Sequence, residues 1–158
     1  MLQHRLLPSS ILSLLLWPTV AWSCQAPVPL SQLSGIWQGE ALTHVRAGVG
    51  QSVQRLEMQV SDQGVVKATR AWKSNPSQGG PPGHDAQGNP TYANAEHLLG
   101  VFNPNTCRLT LVETDDDGQF SGQLLSRQGK PYLEMEYLQS GRIPVVFHTQ
   151  LYRQSGNR

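Results

Sequence analysis

The feature that most constrains the fold is a series of short segments in which apolar and polar residues alternate. Eight such segments follow one another, separated by turn-forming sequences such as Asp62-Gln63-Gly64. Alternation places successive side chains on opposite faces of a strand, and the turn residues favour hairpins. The pattern predicts strands at residues 35–45, 53–60, 65–73, 96–103, 107–114, 119–126, 131–138 and 143–153.

Eight consecutive strands joined mainly by hairpins favour an all-β, up-and-down sheet. An open sheet of this kind leaves two unpaired edges, and closure into a barrel removes both. We therefore expect a single eight-stranded antiparallel barrel over residues 34–154, with a β-sandwich as the alternative. The interior of such a barrel is filled by side chains or holds one small ligand.

The alternation also predicts which side chains face the interior. In three of the strands, one face is apolar while the opposite face carries residues such as Arg108, Glu134 and His148. The residues predicted to face inward in these strands are Leu109, Leu111, Leu133, Met135, Tyr137, Val145, Phe147 and Leu151.

Residues 1–23 have the composition of a secretory signal peptide. Arg5 gives a basic start, an apolar stretch follows, and Ala21 and Ser23 supply small residues at a cleavage site. The apolar stretch is shorter than the roughly 20 residues needed to span a bilayer, so no transmembrane segment is expected. Export would leave a lead-in at residues 24–33 and a tail at 155–158.

The chain has two cysteines, Cys24 and Cys107. Because disulfides persist outside the cytoplasm, an even count there favours a Cys24–Cys107 bridge, worth roughly 4 kcal/mol in the chain-entropy model. The alternative is that Cys24 is lipidated as the first residue of a lipoprotein, since the small Ser23 precedes it. The expected location is secreted or periplasmic, with a lipid anchor at Cys24 as the alternative.

The charge balance argues against a nucleic-acid partner. The chain has 12 Lys and Arg against 11 Asp and Glu, and residues 1–23 contribute only Arg5 to these totals. The exported chain would therefore carry no basic excess with which to neutralise phosphates.

The first predicted strand opens with Gly35-Ile36-Trp37-Gln38-Gly39. This sequence resembles the opening strand of the lipocalin and avidin-like (calycin-type) barrels, and the start of small bacterial secreted Gly-x-Trp-x-Gly domains of uncharacterised role. The resemblance implies that Trp37 plugs one end of a barrel and that Arg153, near the last strand, packs over it. The ligand-contacting residues of avidins have no counterparts in this sequence, so no biotin site is expected.

A long segment rich in Gly, Pro and Asn, residues 74–94, is expected to form no regular element. Trp72 precedes it and Tyr92 lies within it. Glu96 and His97 follow it, and only one of these two neighbours can face the interior. If Glu96 does, the buried carboxylate needs a partner, for which Arg70 or Arg153 is available. The candidate ligand-binding residues are Trp72, Tyr92, Glu96, His97, Tyr137 and Phe147.

No sequence pattern indicates a metal site or a cofactor. His84 and the other histidines lack zinc-ligand spacing. The run Asp115-Asp116-Asp117 resembles a calcium loop, but Ser126 stands where the twelfth-position Glu is required. A hairpin turn explains these aspartates more simply.

Catalytic patterns are equally sparse. No Gly-x-Ser-x-Gly sequence occurs, and Glu134 and Glu136 are expected on a solvated outer face. The sequence therefore favours a non-catalytic binding module for a small, partly apolar ligand. The alternative is a protein-binding or inhibitor domain acting through residues 74–94 on an extracytoplasmic partner.

Overall fold

In the computed structural model, the described residues are 29–74, 83–84, 90–92, 94–142 and 144–155. The predicted signal peptide, Cys24 and most of the 74–94 segment lie outside these ranges. A short 3₁₀ helix, Leu30–Gln32, leads into the first strand. No helix within the described ranges approaches the length and apolar character that crossing a membrane requires.

The described residues form ten strands besides the short 3₁₀ helix, and eight of these strands form a closed barrel. They are β1 (Gly35–Val45), β2 (Gly48–Val60), β3 (Val65–Ser74), β4 (Gly83–His84), β5 (Pro90–Thr91), β6 (Asn94–Asn103), β7 (Arg108–Glu113), β8 (Gly118–Arg127), β9 (Lys130–Gln139) and β10 (Val145–Arg153). All but β4 and β5 belong to the barrel.

The barrel is antiparallel and up-and-down, in the order β1-β10-β9-β8-β7-β6-β3-β2. It closes because β10 pairs along β1, with Trp37 opposite Arg153 and Val45 opposite Val145. The predicted barrel is therefore confirmed, and the alternative of two packed sheets is excluded.

Two details of the predicted strands were wrong. Residues 74–94 were expected to hold no regular element, yet Gly83–His84 pairs with Pro90–Thr91 as a two-stranded sheet. The second strand was predicted to begin at residue 53, but β2 begins at Gly48. Gly48 and Gly50 carry no side chains, so the alternation of polar and apolar residues could not mark this end of the strand.

One half of the barrel interior is an apolar core. Of the residues predicted to face inward, Leu109, Leu111, Leu133, Met135 and Leu151 belong to this core. They pack with Leu33, Trp37, Leu56, Met58, Val66, Leu98, Phe102 and Leu124. Tyr137 and Phe147 are also buried, toward the other end of the barrel, whereas Val145 is only half-buried. Burial of this much apolar surface is the main stabilising term of the fold.

Trp37 closes this apolar end. Its side chain is 1% exposed, and its Nε1 donates a 2.9 Å hydrogen bond to the carbonyl oxygen of Leu33. Gly35 has φ +128°, a conformation that glycine adopts most readily, and it lets the chain turn from the lead-in into β1. Arg153 is exposed and donates from Nη2 to the carbonyl oxygen of Ser34 at 3.0 Å, which ties the last strand to the same turn.

Cys107 lies in the turn just before β7 and is buried, 3% exposed. Its φ is +54°, and its carbonyl oxygen accepts a 2.8 Å hydrogen bond from the Leu124 amide. Because Cys24 lies outside the described residues, the Cys24–Cys107 bridge stays a prediction.

Candidate ligand-binding site at the open end of the barrel

The opposite end of the barrel contains a cavity of about 410 Å³. The turn between β1 and β2 lies at its rim, and its walls come from strands on several sides of the barrel. Its apolar walls include Val45, Trp72 and Val145, while its polar walls include Ser52, Gln54, Arg70, Glu96, Tyr137 and Gln139. Small-molecule sites typically combine such a volume with a few convergent polar groups.

Arg70 is the centre of this polar region. Because Ala68 is buried in the core, alternation along β3 turns Arg70 inward as well, and the residue is only 5% exposed. Its Nη1 donates to Glu96 Oε2 at 2.6 Å and lies 3.4 Å from Glu113 Oε1. Its Nε donates to Gln54 Oε1 at 3.1 Å. The guanidinium is thus paired with side chains from three other positions of the barrel wall.

Aromatic rings enclose the same guanidinium. Arg70 Cζ lies 4.3 Å from the ring centre of Trp72 and 4.4 Å from that of Tyr137. The rings of Phe147 and Phe120 lie at 5.1 Å and 5.4 Å. Cation–π attraction at these distances stabilises a desolvated charge and holds the arginine in one orientation.

The Glu113 side chain is only 1% exposed, less than the 6% of the Arg70 side chain. Its Oε1 accepts a 2.8 Å hydrogen bond from the Tyr137 hydroxyl as well as the contact from Arg70. Its Oε2 is buried with no hydrogen-bond partner among the described residues. A buried carboxylate oxygen of this kind is costly to leave unpaired, which marks the position as functional or strained.

Glu96 connects the buried network with the cavity. It stands directly opposite Arg70 in the β3–β6 pairing, and 25% of its side chain is exposed. Burial, followed by a hydrogen bond with Glu113, raises the pKa of Glu96 to about 7, although Arg70 acts in the opposite direction. Two carboxyl groups can share a hydrogen bond only if one carries a proton, so the raised pKa of Glu96 reflects a proton shared within this pair.

Burial and the Glu113 hydrogen bond also raise the pKa of the Tyr137 hydroxyl. Tyr137 therefore remains a hydrogen-bond donor across the physiological pH range. A chain of neutral groups continues the network along the wall: Gln54 Nε2 donates to Ser52 Oγ at 2.7 Å, and Thr43 Oγ1 lies 3.0 Å from Ser52 Oγ.

Four of the six predicted ligand-binding residues lie at this end of the interior. Trp72, Glu96 and Tyr137 line the cavity, and Phe147 is buried beside the Arg70 guanidinium. Of the two arginines considered as partners for Glu96, the structure places Arg70 there.

The other two predicted residues lie elsewhere. His97 is exposed on the outer face of β6, as expected for the neighbour of an inward-facing Glu96. The ring centre of Tyr92 lies 5.4 Å from Lys73 Nζ. Lys73 points outward from β3, because its neighbour Trp72 points inward. Neither His97 nor Tyr92 is brought into the cavity.

The outer surface holds a larger but open depression of about 1180 Å³ over β1, β9 and β10. Nearby, His148 Nε2 lies 3.4 Å from Glu134 Oε1, and both side chains are solvent-accessible, in keeping with the predicted outer face. Within the described part of the chain, no group of three or more His, Cys, Asp or Glu is arranged to hold a metal. The inner cavity is the stronger candidate because buried charges line it.

Several participants were not among the predicted site residues. Arg70 was expected only as a possible partner of Glu96, and Ser52, Gln54, Glu113 and Gln139 were not predicted. The alternation of apolar and polar residues indicates two of them, Gln54 and Glu113, as inward-facing. Glu113 continues the inward face of Leu109 and Leu111, and Gln54 precedes the inward-facing Leu56 by two residues. A charged or amide side chain at an otherwise apolar inward position was the available signal.

The fold and the site together define an all-β barrel of eight antiparallel strands with an arginine-centred polar cavity at one end. This architecture is compatible with a calycin-like barrel. In comparisons with known proteins, no family model and no curated sequence matches the chain.

Proposed function

We propose that this protein is a secreted or periplasmic, non-catalytic binding module whose barrel holds a small, partly apolar ligand. The observation that carries the proposal is the 410 Å³ cavity, which joins apolar walls to a preorganised set of buried polar groups. Buried charges are expensive to maintain, and hydrophobic replacements of similar volume are often as stable or more stable. A binding role gives a reason for their presence at the cavity.

The geometry of the cavity suits recognition of one molecule. Trp72 and the valines supply apolar contact area, while Glu96 and Gln139 present polar atoms at fixed positions. Because Arg70 is held by three hydrogen-bonding partners and two flanking rings, these groups need little reordering when a ligand enters. Preorganisation of this kind reduces the entropic cost of binding.

Native mass spectrometry of protein purified from its own source tests the proposal. A co-purifying mass is expected in the wild-type protein and should be lost from Trp72→Ala, which removes one apolar wall. Tyr152→Ala is the matched control, because Tyr152 is an exposed aromatic residue on the outer face. Recovery of the same mass with both variants, or of no mass with any of them, would contradict binding in the cavity.

Acid–base catalysis is the second candidate function, and the pKa of Glu96 favours it. A carboxyl group with a pKa of about 7 in a cavity is suited to exchange protons near neutral pH. It ranks second because Glu113, the other carboxyl group, is buried behind Glu96 and is held by Arg70 and Tyr137. Incubating the co-purified compound with the protein distinguishes the roles: a binding module returns it unchanged, whereas an enzyme converts it and Glu96→Gln does not.

A further inference from the structure

The open half of the barrel interior contains more acid than base. Two charged side chains among the described residues line the cavity, Arg70 and Glu96, and Glu113 is buried behind them. With both carboxyl groups ionised, one positive charge faces two negative charges. An uncompensated charge in such surroundings is unfavourable, so the site favours the arrival of a cation or retains a proton.

Arg70 already has two anionic partners, so its surroundings do not favour a further anion. Its Nε is engaged by Gln54 and its Nη1 by both carboxyl groups, and the rings of Trp72 and Tyr137 lie over its faces. An anion that approached the guanidinium would also meet the two carboxylates that already surround it. The like-charge repulsion opposes binding of such a ligand.

Glu96 has the opposite accessibility. A quarter of its side chain is exposed, and it belongs to the cavity wall. Behind it, Glu113 Oε2 is a buried acceptor without a partner among the described residues. Glu96 therefore presents a carboxyl group to the cavity, and Glu113 places a second carboxyl group behind it.

We infer that the ligand carries one compact ammonium group, which Glu96 binds directly while Glu113 adds negative charge from behind. The apolar remainder of the ligand packs against Trp72, Val45 and Val145. This inference rests on the proposed binding function and specifies the class of ligand, a primary amine with a short apolar substituent.

When an ammonium group binds to Glu96, the positive charge that enters is balanced by the loss of a proton. The groups that face this carboxyl are Arg70 from β3, Glu113 from β7 and the Tyr137 hydroxyl from β9. When the ammonium group enters below neutral pH, the proton held by Glu96 leaves to solvent and an ion pair replaces the hydrogen bond between the carboxyl groups. Binding is therefore expected to strengthen as the pH rises toward the pKa of Glu96.

Three probes of equal chain length test the inference: hexylammonium, hexanol and hexanoate, each titrated calorimetrically into the wild-type protein at pH 7.5. Hexylammonium should bind about tenfold more tightly than hexanol, as a charge-assisted hydrogen bond predicts, and hexanoate should bind most weakly. Titrations at pH 6 in two buffers of different ionisation enthalpy should show net proton release for hexylammonium alone.

Two variants test whether Glu96 is the residue that causes the preference for hexylammonium and the proton release. Glu96→Gln keeps an acceptor for Arg70 but removes the charge, so it should abolish both the preference for hexylammonium and the proton release. Glu57→Gln is the control, since Glu57 is paired with Arg55 on the outer surface. Equal binding of the three probes, a preference for hexanoate, or an unchanged preference in Glu96→Gln would overturn the amine inference alone. Failure of all three probes to bind would count against the proposed binding function as well.

Discussion

Tyr137 Oη and Glu113 Oε1 lie 2.8 Å apart, although β8 separates their strands in the barrel. The two side chains meet because Gly118, the first residue of β8, leaves the space between them open. A β-carbon at Gly118 would overlap both Glu113 Oε2 and Tyr137 Oη. This glycine therefore makes room for the buried carboxylate on which the polar network depends.

Gly118→Ala should displace Glu113 and destabilise the fold. Overpacking of a well-filled interior costs about 1–3 kcal/mol, and here it also disturbs a buried ion pair. The free energy of unfolding in urea measures the loss. Gly50→Ala serves as the control, because a β-carbon there meets nothing within 4 Å. Equal stability of the two variants would show that the carboxylate has room to move.

Arg70→Met should be one of the most destabilising substitutions in the chain. It leaves Glu113, which is 1% exposed, as an uncompensated buried carboxylate, and such losses reach about 3–5 kcal/mol. Arg55→Gln, which breaks an exposed ion pair, should cost less than about 1 kcal/mol. Urea unfolding compares the two.

The double variant Arg70→Met/Glu113→Leu separates charge from packing. Replacing a buried ion pair by apolar residues is often nearly neutral, so this variant should be more stable than Arg70→Met alone. If it is equally unstable, the loss comes from the packing of the guanidinium between its aromatic rings rather than from the stranded carboxylate.

Glu96 should make the folded protein less stable as the pH rises toward neutral, which is the opposite of what a carboxyl group with a lowered pKa does. Its pKa in the folded protein, about 7, exceeds the ordinary value of 4.5, so the folded state holds this proton more tightly than the unfolded state. The stabilisation is complete below the ordinary value and is lost as the pH rises through about 7. Since the carboxyl is partly solvated, the expected loss is about 1–2 kcal/mol.

Denaturant unfolding of the wild type and Glu96→Gln across this pH range measures the contribution as a difference. The stability difference between them should shift steadily against the wild type as the pH rises from 4.5 to about 7. A difference that stays constant with pH would mean that Glu96 ionises in the folded state as it does in the unfolded chain.

The two inward-facing tryptophans should behave differently. Trp37→Ala removes a side chain that is 1% exposed in the apolar core, and a loss of about 3–5 kcal/mol is expected in thermal or urea unfolding. Trp72→Ala should cost less, because Trp72 is only partly buried at the cavity. Comparable losses would indicate that the open end contributes as much to stability as the closed end.

The Cys24–Cys107 bridge is tested by peptide mapping without reduction. A peptide pair linked through the two cysteines is expected in protein recovered from the extracytoplasmic space. A diacylglyceryl group on Cys24 would instead establish the lipoprotein alternative.

Much of this fold was predictable because alternation is a local property. The inward positions of β7, β9 and β10, such as Leu111 and Met135, follow from residues two apart, and closure follows from the need to remove sheet edges. The pattern disappears where side chains are absent, which is why the start of β2 at Gly48 was missed.

The site was less predictable because its contacts join distant strands. Alternation places Glu96 inside, but the choice of Arg70 over Arg153 as its partner depends on strand order, which puts β3 beside β6. Likewise, the Tyr137–Glu113 hydrogen bond bridges strands that are not neighbours in the barrel, so no local pattern reveals it.

The apolar core at the Trp37 end and the cavity at the other end are built from largely different residues, which is useful for protein engineering. Some strands contribute to both the apolar core and the cavity: on β3, Val66 and Ala68 belong to the core, while Trp72 belongs to the cavity wall. A library that randomises cavity-wall positions such as Thr43, Trp72 and Gln139 leaves the core sequence intact. Selection from such a library should yield folded barrels with altered ligand preferences, which makes this chain a candidate scaffold for designed receptors of small molecules.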